Sequence, residues 1–72
     1  MAWNQYLVNT GTVVYSALDG PGQRVRHEEG RPGTTIVAFD ADVANLVSSG
    51  AISFVGAYAP FAGLAADGRR SP

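Results

Sequence analysis

Turn signals recur so closely along this chain that no long regular element fits between them. Asn9-Thr10-Gly11, Asp19-Gly20-Pro21-Gly22, Arg31-Pro32-Gly33-Thr34 and Ser48-Ser49-Gly50 each combine residues that favour reversals. Glycine reaches positive φ without a Cβ clash, and proline presets the φ of a turn's first central position. The two Pro-Gly pairs therefore predict type II turns. The segments left between the turns are rich in β-branched and aromatic residues, which suit short strands.

Read this way, Trp3–Val8 is a first strand and Thr12–Tyr15 a second, or its bulged continuation. Gln23–Glu29 alternates, with Val25 and His27 on one side and Arg24, Arg26 and Glu28 on the other. That pattern suits an edge strand protected by charge against unwanted pairing. Thr34–Phe39 is the strongest strand, with Ile36 and Ala38 facing one way and Thr35, Val37 and Phe39 the other. Ala51–Val55 returns as a last strand with Ile52 and Phe54 on one face. Phe39 and Phe54 are both expected in the core.

One helix is expected, at residues 41–49. Asp40 is placed to cap it, and Asp42 adds negative charge at the positive end of the dipole. Val43, Leu46 and Val47 form an apolar stripe, and Gly50 sits where a left-handed C′ residue ends a helix. The fold class that follows is mainly β with one short α-helix, as a small antiparallel sheet or partly open β-barrel with an extended C-terminal arm. Residues 1–56 form the compact domain. From Gly56 the periodicity stops, and residues 57–72 read as the arm.

Size and composition narrow the chemistry. A chain of 72 residues has room for one core and buries only about 60% of the surface its unfolded form exposes. It has no Cys and one His, which removes disulfides, thiolate zinc sites and multi-histidine metal sites within one chain. No cofactor is expected. The net charge is −1, and the five basic residues, all Arg, form two small groups rather than a basic tract. Nucleic acid is therefore not an expected partner. No apolar run approaches the length of a membrane span, and the N-terminus lacks the features of a secretory signal. The expected place of synthesis is a cytoplasm, with no membrane partner.

The catalytic candidates fail on spacing. His27-Glu28-Glu29 points alternate ways on a strand, and no second His completes a metal motif. Asp40 and Asp42 fit helix capping better than acid–base work. Gly20-Pro21-Gly22 has Val25 where a dinucleotide loop has its third Gly. No GxSxG nucleophile elbow is present. An enzyme is not expected, nor is a small-molecule substrate. Trp3, Tyr58 and Phe61 lie outside the densest β pattern. Together with Leu64 they are candidate apolar anchors for a partner. Arg69 and Arg70 are candidates to pair with partner carboxylates. The competing reading is that these termini fold back and cover their own sheet.

The stretch Gly30-Arg31-Pro32-Gly33-Thr34-Thr35-Ile36-Val37-Ala38-Phe39-Asp40-Ala41-Asp42-Val43-Ala44-Asn45-Leu46-Val47-Ser48-Ser49-Gly50-Ala51-Ile52 is about a third of the chain. It resembles a module of small proteins encoded near the capsid and head–tail genes of tailed phages: a turn, a strand, an acidic residue before a short helix, then Leu-x-x-x-Gly and a strand. Actinobacterial hosts match the Lys-free, Ala- and Gly-rich composition. The resemblance implies a structural virion protein, a capsid-bound decoration or minor capsid protein whose partners are the major capsid protein and sister copies. It brings no catalytic residues. A head–tail connector is the nearest alternative, and a small cytoplasmic regulatory module the alternative of a different class.

Overall fold

The computed structural model describes residues 2–20 and 25–69. Its organising element is β1, Trp3–Val8, the middle strand of a three-stranded antiparallel sheet. On one side β1 pairs with β4, Thr35–Phe39, in the register Trp3↔Phe39 and Tyr6↔Ile36. On the other it pairs with β5, Ile52–Ala57, in the register Val8↔Ile52 and Tyr6↔Phe54. A bulge interrupts this second ladder between Gln5 and Tyr6, leaving Val55 as the extra residue of β5. The remaining strands, β2 (Val13–Leu18) and β3 (Val25–Gly30), form a separate two-stranded antiparallel sheet. The two sheets do not close into a barrel.

Side chains alternate along a strand, so the central sheet has two faces to bury. Tyr6 and Val8 of β1, Ile36 and Ala38 of β4 and Ile52 of β5 share a cluster with Val13 and Val43. Trp3 and Phe39 join Leu18, Phe61 and Leu64 in a second cluster, with Val37 packed against it. The alternation expected for β4 is thus realised as two cores, one on each face. Gly30 ends β3 where the first core is tightest. A Cβ there would lie 3.0 Å from Ile36, 3.1 Å from Val8 and 3.2 Å from Val13 side-chain carbons.

The turn at Arg31–Thr34 has the geometry expected of it. The Thr34 amide donates to the Arg31 carbonyl at 3.1 Å, and Gly33 has φ 88°. The Pro21-Gly22 turn lies outside the described residues.

The helix is shorter than expected. It covers only Ala44–Ser48 (α1), with Val43 at its N-cap and no side-chain cap. Asp40 and Asp42 do other work. Asp40 Oδ1 accepts from the Ala41 amide at 2.7 Å and Oδ2 from the Ala2 amide at 3.0 Å, while the Asp40 amide donates to the Ala2 carbonyl. Asp42 Oδ2 accepts from the Ser16 amide at 3.0 Å. The chain uses residues 40–43 to reverse direction after β4, and the two carboxylates tie that reversal to the start of β1 and to β2. Of the expected stripe, Val43 is fully buried, Leu46 is partly buried and Val47 is exposed.

The helix end follows expectation. Ala51 donates to the Leu46 carbonyl, Gly50 donates to that of Val47, and Gly50 has φ 83°. These are the paired bonds of a Schellman motif.

The C-terminal segment is not an extended arm over the residues described. After β5, Ala59–Phe61 forms a 3₁₀ turn with Pro60 in its first turn. Turns then carry the chain to Arg69. Phe61 and Leu64 insert into the second core, so residues 58–69 belong to the same body as the strands before them. The boundary expected at residue 57 does not separate a domain from an arm.

Candidate functional site

Four of the six expected anchors gather at one place, and that place is the protein's own interior. Trp3 is 2% exposed and Phe61 6%, with Leu64 equally buried and Tyr58 packed against them. The Trp3 ring meets Phe39 and Phe61 edge-on, each with centroids 5.6 Å apart, and Tyr58 meets Phe61 at 4.8 Å. Edge-to-face contact is the preferred arrangement of aromatic quadrupoles. The indole Nε1–H donates to the Ala65 carbonyl at 3.1 Å, so the ring's one polar atom is satisfied by the segment that covers it.

The reason is geometric. Trp3, Val37 and Phe39 line a sheet face to which β2 and β3 contribute Leu18 and Val25. Left open, that face would expose two large aromatic rings, and residues 58–64 close it. Trp3, Phe61 and Leu64 are therefore core residues in this structure and not free anchors. Arg69 is exposed; its amide donates to Asp67 Oδ1 and its carbonyl accepts from the Ala65 amide. Arg70 lies outside the described residues.

The apolar surface is found elsewhere. Phe54 is 60% exposed and Val55 55%, both on β5, and Val14 of β2 is 60% exposed. Phe54 is thus not core, as its shared face with Ile52 implied. Ile52 is buried beside α1, whereas Phe54 sits farther along the sheet's outer strand, where its ring meets Tyr6 with centroids 6.0 Å apart and stays exposed. The bulge at Val55 turns that side chain out as well. The signal available in the sequence was the absence of any charged residue in Ile52-Ser53-Phe54-Val55-Gly56-Ala57. What it lacked was the strand order, which makes β5 an edge.

The polar candidates cluster on the hairpin. Arg26 forms an ion pair with Asp19 and a second, at 2.6 Å, with Glu28. Both carboxylates raise the pKa of its guanidinium. All three side chains are well exposed, so the network contributes little to stability. Tyr15 stands opposite Glu28 in the ladder. Its phenol pKa is raised, first by partial burial and then by the Glu28 charge, against a smaller lowering by Arg26. His27 and Glu29 are exposed. Among the described residues, no group of three His, Cys, Asp or Glu side chains is placed to hold a metal ion. None of the described helices is long and apolar enough to cross a membrane.

Compared with protein-family models, curated proteins and solved structures, the chain matches none.

Proposed function

We propose that this chain is a structural virion protein of a tailed phage, a capsid-bound decoration or cementing protein that makes contacts and carries out no catalysis. The observation that carries this reading is the placement of large exposed apolar side chains on two separate strands. Val14 lies on β2, and Phe54 and Val55 lie on β5, in a body whose two cores are already filled. A cementing protein needs contact surfaces at more than one place, because it links neighbours. Weak contacts of this kind, repeated over a lattice, add up through multivalency.

The specific assignment to a phage capsid rests on the resemblance of residues 30–52. The strand, short helix and strand of that module correspond to β4, α1 and β5. Contact with the coat is assigned to the β2 surface around Val14, with exposed Arg69 available to pair with a coat carboxylate.

The test is co-sedimentation with empty capsids that lack the protein. Saturable binding at a fixed ratio to coat subunits, weakened by Val14→Asp, is the expected result. Absence of binding at micromolar concentrations refutes the assignment. Binding to nucleic acid with a steep salt dependence would favour the regulatory alternative.

A further inference from the structure

We propose that the outer edge of β5 pairs antiparallel with the same edge of a second copy, joining two three-stranded sheets into one. This rests on the reading of β5 as one of the two contact surfaces named above, and it assigns that surface to a sister chain rather than to the coat.

The first observation is topological. In the order β4-β1-β5, the strand β5 has β1 on one side and, among the described residues, no strand on the other. Its residues from Ser53 to Val55 are exposed, although Ile52 at its start is fully buried. An edge strand carries a row of unpaired N–H and C=O groups and serves as a template for another strand.

The second observation is a contrast within the molecule. The hairpin strand β3 carries Arg26, His27, Glu28 and Glu29 in succession, the charge pattern that discourages edge pairing. The strand β5 carries no charge at all, and its central residues are Phe54 and Val55. The other edge strands, β2 and β4, are uncharged too, but both are more buried than β5, and the Ser16 amide of β2 is already taken by Asp42, so β5 is the exposed uncharged edge.

The third observation selects the occupant. A two-fold contact places each residue against its own kind or a near neighbour, so a strand pairs with itself only if it holds no charge that would meet its copy. The sequence ISFVGA meets that condition, and a net charge of −1 per chain adds little long-range repulsion. Pairing centred on Phe54 sets its ring beside the symmetry-related ring and Ser53 across from Val55. The bulge at Val55 limits the ladder to a short run, so the added side-chain contact of Phe54 and Val55 matters to the affinity. Each chain offers this edge once, so the contact closes at two copies.

The experiment is sedimentation equilibrium of the full chain, free of capsids, over micromolar to near-millimolar concentrations. The expected result is a reversible monomer–dimer equilibrium. Phe54→Lys and Val55→Lys should each raise the dissociation constant by at least about tenfold, because each sets two ammonium groups close together at the contact. Val14→Lys, equally exposed but on β2, should leave it unchanged. Unaltered Trp3 fluorescence in all three variants verifies that the fold is kept.

A monomer at every concentration overturns the proposal, as does a dimer indifferent to both β5 substitutions or one dissociated by Val14→Lys. Growth beyond two copies overturns the closed pairing. If the chain stays monomeric while Val55→Lys abolishes capsid binding, the edge belongs to the coat. A dimer that fails to bind capsids would overturn the virion assignment and leave this pairing standing.

Discussion

Replacing Phe61 by Ala tests whether the C-terminal segment is part of the fold. Phe61 is almost fully buried, with its ring edge-on to Trp3 at 5.6 Å and to Tyr58 at 4.8 Å. Truncating a buried Phe to Ala removes its transfer free energy and leaves a cavity, a loss of about 3–5 kcal/mol. The lower end applies here, because a short surface segment can settle partly into the space. A 72-residue domain has a total stability of about 4–11 kcal/mol. A loss of about 3 kcal/mol is therefore a large fraction of the whole and lowers the melting temperature by about 12–24 °C.

The assay is urea denaturation followed through Trp3, the only Trp in the chain, whose ring touches the substituted residue. The native emission of the variant should also shift to the red as water reaches the indole. Phe54→Ala, measured at a concentration where the chain is monomeric, serves as the control. It deletes the same side chain at a 60% exposed site and should change stability by less than about 1 kcal/mol. If Phe61→Ala unfolds within about 1 kcal/mol of the parent, with unchanged Trp3 emission, residues 58–69 are a dispensable arm and the two-core description is wrong.

Gly30→Ala should destabilise by about 1–3 kcal/mol in thermal melts, because its methyl would crowd the side chains of Ile36, Val8 and Val13 in a filled core. A neutral effect would mean that this core is looser than the structure shows. Tyr15 should ionise above the ordinary tyrosine range in a spectrophotometric titration, and Glu28→Gln should bring its pKa down by removing the adjacent negative charge. Because the folded pKa is raised, this group's contribution to stability is present below the ordinary tyrosine pKa. It is lost as pH rises through the elevated value.

Most of the elements were legible because they depend on local chemistry. The residues of β1 and β4, the Pro32-Gly33 turn and the Gly50 helix end all follow from side-chain shape and backbone freedom within a few positions. The helix starts later than its local signals imply, for a physical reason. Asp40 and Asp42 are good caps in isolation, yet their oxygens found the amides of Ala2 and Ser16, which come near only after the chain folds. The expected contact residues Trp3, Phe61 and Leu64 are buried for a related one. Aromatic character marks Trp3 and Phe61 as able to bury large areas, but whether that area lies against a partner or against the chain's own sheet is not a local property.

The sequence by itself determined a small, mainly β domain of short strands with one short helix, because Gly and Pro positions and β-branched runs restrict the backbone residue by residue. It also determined that Ile36 and Ala38 separate from Val37 and Phe39, because strand periodicity is intrinsic. Only the tertiary structure decided that both faces carry a core, that residues 58–64 cover the Trp3 face, and that β5 is the more exposed of the two edge strands β4 and β5. Those outcomes depend on strand order, and strand order is set by contacts between residues far apart in the chain. Phe54 and Ile52 show the difference. They share one strand and one expected face, yet Ile52 is buried beside the helix while Phe54, two residues on, is exposed.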